Sequence, residues 1–258
     1  MDDMQALALK LWEARRDGGV VDPADVREPA NDVESYAVQD EIVRLSGLPA
    51  RGFKVGSTSA EAQKILGTSE PGSCPVLAPY YFDAPARIIL APEHMPALEG
   101  EFAFRLGHDL PAREVAYDVL EVCDAINAVA GAIEVVGTRL KGGLAGKGRY
   151  LVTADCGANI ALVVGAWQEN WREIDLKAHP VAMHVNGNAK GAGTGERALG
   201  DPINVMVWLA NQQSKRGRGL MAGEIVSTGT CTGLDGVAPG DQVVADFGSL
   251  GRVEIAFD

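Results

Sequence analysis

The sequence predicts an α+β fold, a helical N-terminal lobe leading into a mostly-β body. Three observations predict it. Up to about residue 66 the apolar residues recur at helical spacing. From about residue 70 they fall into short runs punctuated by Gly, Pro and Asp. Asn186-Gly187-Asn188, set between His184-Val185 and Ala189-Lys190, is a hairpin-turn signal.

Taken in order, Gln5 to Arg15 has a helical period and ends near Gly18-Gly19. Asp32-Val33-Glu34-Ser35 starts a second helix that runs to Leu45, with Tyr36, Val38, Ile42, Val43 and Leu45 inward. Gly47-Leu48-Pro49 stops it. Arg51 to Gly56 is a short strand, and Ser59 caps a short helix closed by Gly67. In the body, helices are expected over Val119 to Val129 and Pro202 to Lys215 only. Glu224 to Thr228, Asp241 to Phe247 and Arg252 to Phe257 read as strands. The division into a lobe of residues 1–70 and a body of residues 71–258 is soft, with no linker or internal repeat.

A chain of 258 residues, 47% hydrophobic, can bury one large core, or a core plus a small lobe. The formal net charge of −12 excludes nucleic-acid binding by electrostatics. It also gives local positive charge at Lys54 or Lys147 more meaning if the substrate is an anion. No apolar stretch is long enough to span a membrane, and Met1-Asp2-Asp3 lacks the layout of a signal peptide. Cys74, Cys123, Cys156 and Cys231 are far apart and form no Cys-x-x-Cys pair. A reduced, cytoplasmic protein is expected.

The chemistry concentrates in carboxylates. Glu99 and Glu101 stand two apart at the head of a strand-like run, so they share a face, while Gly100, Phe102, Phe104 and Leu106 point into the core. Glu134 lies about thirty residues on in Ala132-Ile133-Glu134-Val135-Val136, where a carboxylate is costly to bury unless it is paired or binds a cation. One reading is a solvated strand face. The other is a hard, oxygen-rich site suited to Mg²⁺ or Mn²⁺, with ligand bonds of about 2.0–2.2 Å. Other motifs fail. Lys141 to Gly148 has the wrong glycine spacing for a phosphate loop, and no Ser or Thr follows Lys147. It reads as a mobile basic loop, a lid over an anionic substrate or a connection. Gly191 to Gly195 lacks the third glycine of a dinucleotide fingerprint. His94, His108, His179 and His184 show no two-histidine metal spacing.

Six segments, in order, resemble the fumarylacetoacetate hydrolase superfamily, and within it the 2-keto-4-pentenoate hydratase and 4-oxalocrotonate decarboxylase branch. They are Gly52-Phe53-Lys54-Val55-Gly56-Ser57-Thr58, Glu99-Gly100-Glu101-Phe102-Ala103-Phe104, Ala132 to Arg139, Ala154-Asp155, Leu199 to Asn204 with Trp208-Leu209-Ala210, and Gly223 to Gly229. The likeness covers about residues 33 to 257. It implies a β-roll or barrel-like body with an α/β lobe, and Mg²⁺ or Mn²⁺ on Glu99, Glu101 and Glu134. It also implies a homo-oligomer acting on a small anionic 2-oxo acid, and a place in aromatic catabolism. Three carboxylates and a divalent cation sum to −1, so an anionic substrate needs further positive charge. Lys54 is the candidate to supply it, and to move protons if burial lowers its pKa. Thr228 and the Gly229 backbone are expected to hold the substrate carboxylate, and Asp155 to help the attacking water.

The expected reaction is hydration of a 2-oxo-4-enoate-type acid through a metal-chelated enolate. Decarboxylation, tautomerisation, C–C hydrolysis and non-catalytic binding stay open beside it. Pro79, in Ala78-Pro79-Tyr80-Tyr81, stands where the hydratases carry an aspartate. Leu140 to Arg149 lacks their tryptophan. The absence of histidine before His94 speaks against the His-Glu mechanism of the acylpyruvate hydrolases.

Overall fold

The computed structural model describes residues 2–258. Two helices open the chain, α1 (Asp3–Asp17) and α2 (Asp32–Ser46), capped by the Asp2 and Asn31 side chains and ended by left-handed Gly18 and Gly47. Next come β1 (Ala50–Gly56), α3 (Ala60–Leu66), β2 (Gly72–Leu77), β3 (Tyr81–Asp83) and β4 (Ala86–Ile88). The long pair β5 (Ala97–Leu106) and β6 (Ile126–Val136) flanks α4 (Val119–Ala125). After α5 (Arg149–Ala154) come β7 (Asn159–Val164), β8 (Pro180–Val185), β9 (Asn188–Thr194) and α6 (Pro202–Lys215). The chain closes with β10 (Ile225–Ser227), β11 (Asp235–Gly236), β12 (Gln242–Asp246) and β13 (Arg252–Phe257).

An eight-stranded mixed sheet in the order β2-β1-β10-β5-β6-β7-β3, with β11 beside β5, curls into a half-barrel. A five-stranded sheet, β4-β13-β12-β8-β9, packs on its back. The α+β reading holds. Between the sheets lies the main core, where Phe102, Phe104, Ile133 and Val135 meet Met183, Val243, Phe247 and Val253. The opposite face of the large sheet is lined by small residues, Ala103, Ala130 and Ala132, and by the carboxylates. Helices α1 and α2 pack Leu7, Leu11, Val38 and Ile42 against Cys74, Leu151 and Ala154. Strand β1 pairs with β10 and β2, so the segment before residue 70 supplies a strand to the large sheet.

One of two local expectations changes. The helix expected over Val119 to Val129 stops at Ala125, and Ile126 to Val129 begin β6, because pairing with β5 settles an apolar run that fits either structure. The expected basic loop, Lys141 to Gly148, carries no helix or strand, and it runs between the fully buried Leu140 and Arg149, which opens α5.

Candidate active site

Strand register builds the site. Glu99 on β5 stands directly opposite Glu134 on β6, and Glu101 lies diagonally across, opposite Ala132. Like charges directly opposite repel, yet Glu101 and Glu134 are fully buried and one oxygen from each of the three glutamates falls within 4.8 Å of the others. Lys54, on β1 and only 3% exposed, reaches Glu134 Oε1 at 3.3 Å. Gly157 makes room for it: a Cβ there would stand 2.9 Å from Lys54 Cε, and the residue holds a left-handed φ of +58°.

Among the described residues, Glu101 and Glu134 are each held by one oxygen and free at the other. Glu101 Oε2 accepts from the Ser227 hydroxyl and, at 2.9 Å, from the Gly229 amide, whereas Oε1 has no partner. Glu134 Oε1 accepts from Asn159 Nδ2 at 2.8 Å, whereas Oε2 has no partner. Two orphaned carboxylate oxygens, buried beside a third carboxylate, fit a hard divalent cation. Burial raises Glu99 to about 7 with help from the Glu134 charge, against the pull of Lys54 and Arg197. Burial and the same repulsion raise Glu101 well above the carboxylate range. Burial alone would lower Lys54, but Glu134, Glu99 and Glu101 together hold it above its ordinary value, so the depressed lysine expected from burial is not what the bare cluster produces.

Glu99 and Lys54 line a cavity of about 320 Å³. Its walls are the apolar Ala62, Leu66, Val136, Leu144 and Val152, with Arg149 and Arg197 as further cations. Lys147 is not among the lining residues.

Three expected site residues are placed differently. Asp155 is buried, and both its oxygens are taken: Oδ2 by the Thr138 hydroxyl at 2.6 Å and the Arg139 amide at 3.0 Å, Oδ1 by Arg139 Nε at 2.7 Å. It is linked to the cluster at one remove. The fully buried Arg139 it holds donates from Nη1 to the Asn159 carbonyl at 2.7 Å, and Asn159 in turn holds Glu134. Thr228 donates its hydroxyl to the Phe102 carbonyl at 3.0 Å, and the Gly229 amide is spent on Glu101, so neither is free to bind a substrate carboxylate. Gly229 is nonetheless fixed in kind, since at φ +85° a Cβ would fall 1.9 Å from Thr58 Oγ1. Ser227, Asn159 and Arg197 were not singled out in the sequence. Ser227 alone had a local signal, one residue from Thr228 and therefore on the opposite face.

Residues 57–257 match the family described as fumarylacetoacetate (FAA) hydrolase C-terminal. Over 256 residues the chain is 30% identical to a 2-keto-4-pentenoate hydratase of Paraburkholderia xenovorans (strain LB400), covering 97% of this chain and 93% of the relative. It is 29% identical over 255 residues to a 2-hydroxyhexa-2,4-dienoate hydratase of Comamonas testosteroni, covering 96% and 95%. Among solved structures, 4-oxalocrotonate decarboxylase from Pseudomonas putida G7, complexed with magnesium and adipate, matches with a TM-score of 0.88. At 24% identity over 99% of this chain and 97% of that one, it is a likeness of fold. Matched over most of its length, and 30% identical to a relative nearly end to end, the chain belongs to the fumarylacetoacetate hydrolase family.

Proposed function

We propose that the protein is a divalent-metal-dependent hydro-lyase that adds water to a 2-oxo-4-enoate-type (2-hydroxydienoate) acid, giving a 4-hydroxy-2-oxo acid. The observation that carries this reading is the pair of unpartnered oxygens, Glu101 Oε1 and Glu134 Oε2, gathered with Glu99 beside Lys54. The hydratase names of relatives at about 30% identity support the direction. Glu99, Glu101 and Glu134 would hold Mg²⁺ or Mn²⁺, and solved proteins of this fold are complexed with magnesium, calcium and manganese. Such an ion supplies Lewis-acid stabilisation of negative charge on the 2-oxygen of the substrate.

The chain's own residues do the rest. Lys54, kept charged by the glutamates, offsets the remaining negative charge and draws an anionic substrate in. Its Nζ gives a proton to the terminal carbon of the dienol while the enol hydroxyl loses its own, which restores the ammonium, and the product is a conjugated enone; water then adds across that enone, its hydroxyl to the far carbon and its hydrogen to the carbon beside the carbonyl. Val136, Leu144 and Val152 pack the carbon chain and restrict water around it. The family resemblance further supports a homo-oligomer; among the described residues no helix is long and apolar enough to cross a membrane.

One observation favours a second reading, decarboxylation of a vinylogous 2-oxo diacid: Asp155, the carboxylate expected to activate water, is locked in its bonds with Arg139 and Thr138, and loss of CO₂ needs no activated water. One experiment separates the two. The protein is assayed with Mg²⁺, then with excess chelator, on 2-hydroxypenta-2,4-dienoate and 2-oxo-3-hexenedioate, with products identified by NMR. Chelator-sensitive formation of a 4-hydroxy-2-oxo acid supports the hydratase. Release of CO₂ without hydration replaces it with the decarboxylase, and turnover unaffected by chelator overturns both.

A further inference from the structure

We propose that Arg197 is the specificity-determining residue of this cavity: it binds a second, remote carboxylate of the substrate, which displaces Glu61 from the guanidinium, so that 2-oxo diacids are selected over monoacids. The inference rests on the proposed function for its reaction but not for its binding.

Arg197 ends a short 3₁₀ turn (Gly195–Arg197) just before α6, and its side chain reaches back to line the cavity together with Glu61, Lys54 and Glu99. Its Nη2 donates to Glu61 Oε2 at 2.7 Å, the one hydrogen bond its side chain makes among the described residues. The guanidinium lies over Gly233, where a Cβ would stand 3.6 Å from both Nη1 and Nη2. A planar fork of five donors, four of them unspent, is thus held open beside a site for a 2-oxo acid. The charge is felt at the cluster, where Arg197 helps pull Glu99 down.

The other cavity arginine is built differently. Arg149 spends Nη1 on Thr68 Oγ1 at 2.9 Å and Nη2 on Asp32 Oδ1 at 2.7 Å, tying α5 to the N-terminal segment. The Glu61 side chain, by contrast, makes no hydrogen bond among the described residues apart from that to Arg197, it is 69% exposed, and α3, which carries it, buries no residue. An exposed ion pair of this kind is weak, so a substrate carboxylate arriving bidentate can take Glu61's place at little cost. A monoacid would present a methyl or vinyl end to the same guanidinium and gain nothing from it.

Isothermal titration of the Mg²⁺-loaded protein with 2-oxoadipate and 2-oxohexanoate tests this, because the two differ only in a terminal carboxylate or methyl. The wild type is expected to bind 2-oxoadipate about 10- to 100-fold more tightly. Arg197→Met should abolish that preference while leaving 2-oxohexanoate within about 3-fold of wild type. Glu61→Gln, which removes the competing charge, should strengthen 2-oxoadipate binding and leave 2-oxohexanoate unchanged. Equal loss of both ligands in Arg197→Met would place the arginine at the 2-oxo acid end and overturn the proposal, as would no preference or no binding in the wild type, or a Glu61→Gln variant that binds 2-oxoadipate no better. A preserved diacid preference without any hydration would sink the hydratase reading and leave this one standing; hydration with no preference would do the reverse.

Discussion

Asn159 holds Glu134 by a single hydrogen bond of 2.8 Å, donated by its side-chain amide to Oε1, and the orientation of that amide is set from the first helix of the chain. Arg15, on α1, donates to Asn159 Oδ1 at 3.3 Å and to the Asn159 carbonyl at 2.6 Å. The first helix therefore reaches the carboxylate cluster through one asparagine. Asn159→Ala is expected to weaken Mg²⁺ binding by about 10- to 100-fold, the usual cost of losing a group that orients a metal ligand. Calorimetric titration of the folded variant checks it, and unchanged affinity would remove Asn159 from the site.

Glu101→Ala deletes the unpartnered Oε1 and the residue that Ser227 and Gly229 position. Metal binding and activity should be lost together. A metal-free Glu101→Ala preparation that still turns over substrate would refute the site as described.

Lys54→Met separates chemistry from metal binding. Proton transfer by a positioned side chain contributes about 10²- to 10⁴-fold, so kcat should fall by that order. Removing a positive charge 3.3 Å from Glu134 cannot disfavour a cation, so Mg²⁺ affinity should be equal or higher. A parallel loss of metal would make Lys54 structural.

Asp155→Ala should act on stability first. It strands the fully buried Arg139, and breaking such a pair costs about 3–5 kcal/mol. Denaturant unfolding measures the loss. If the variant is as stable as wild type but inactive, the water-activating role returns.

The pH dependence has a defined sign. Glu99 in the metal-free fold titrates at about 7, above its ordinary 4.5, so between those values the folded state binds more protons than the unfolded chain. Stability from this group is therefore present at low pH and declines as pH rises through that window. A cation needs the ionised form, so the Mg²⁺-induced rise in Tm should grow over the same interval. At about 100 times Kd the rise should reach roughly 5–10 °C. Differential scanning fluorimetry with and without Mg²⁺ between about pH 5 and 8 tests it, and a rise independent of pH would contradict it.

The helices were legible where capping and period agree. Asp2, Asn31, Ser59 and Asp201 each accept a first-turn amide, and apolar stripes follow in α1, α2 and α6. Helix α5 was not legible: Gly148 offers no capping side chain, and the helix is held instead by contacts such as Gln39 Nε2 to the Thr153 carbonyl. The three glutamates could be read because a charged side chain in a β-branched run calls for a partner. Of their supports, Ser227 had a local signal beside Thr228, whereas Asn159 arrives from another strand and becomes relevant only through register. Thr228 and Gly229 show the limit of a motif: it identified the right segment but not which atoms face the substrate, and the structure turns Thr228 onto Phe102 and Gly229 onto Glu101.

The β5–β6 pairing that sets Glu99 against Glu134 also sends Phe102 and Phe104 to the opposite face, between the sheets. A slip of one residue would exchange the two sets, driving carboxylates into the hydrocarbon core and aromatic rings into the cavity. Folding correctly and becoming able to bind a cation are thus a single event in this chain. Metal affinity can serve as a gauge of interior packing, and a substitution at Phe247, which packs edge-on against Phe102 and supplies no ligand, should register in a Mg²⁺ titration before it registers as unfolding.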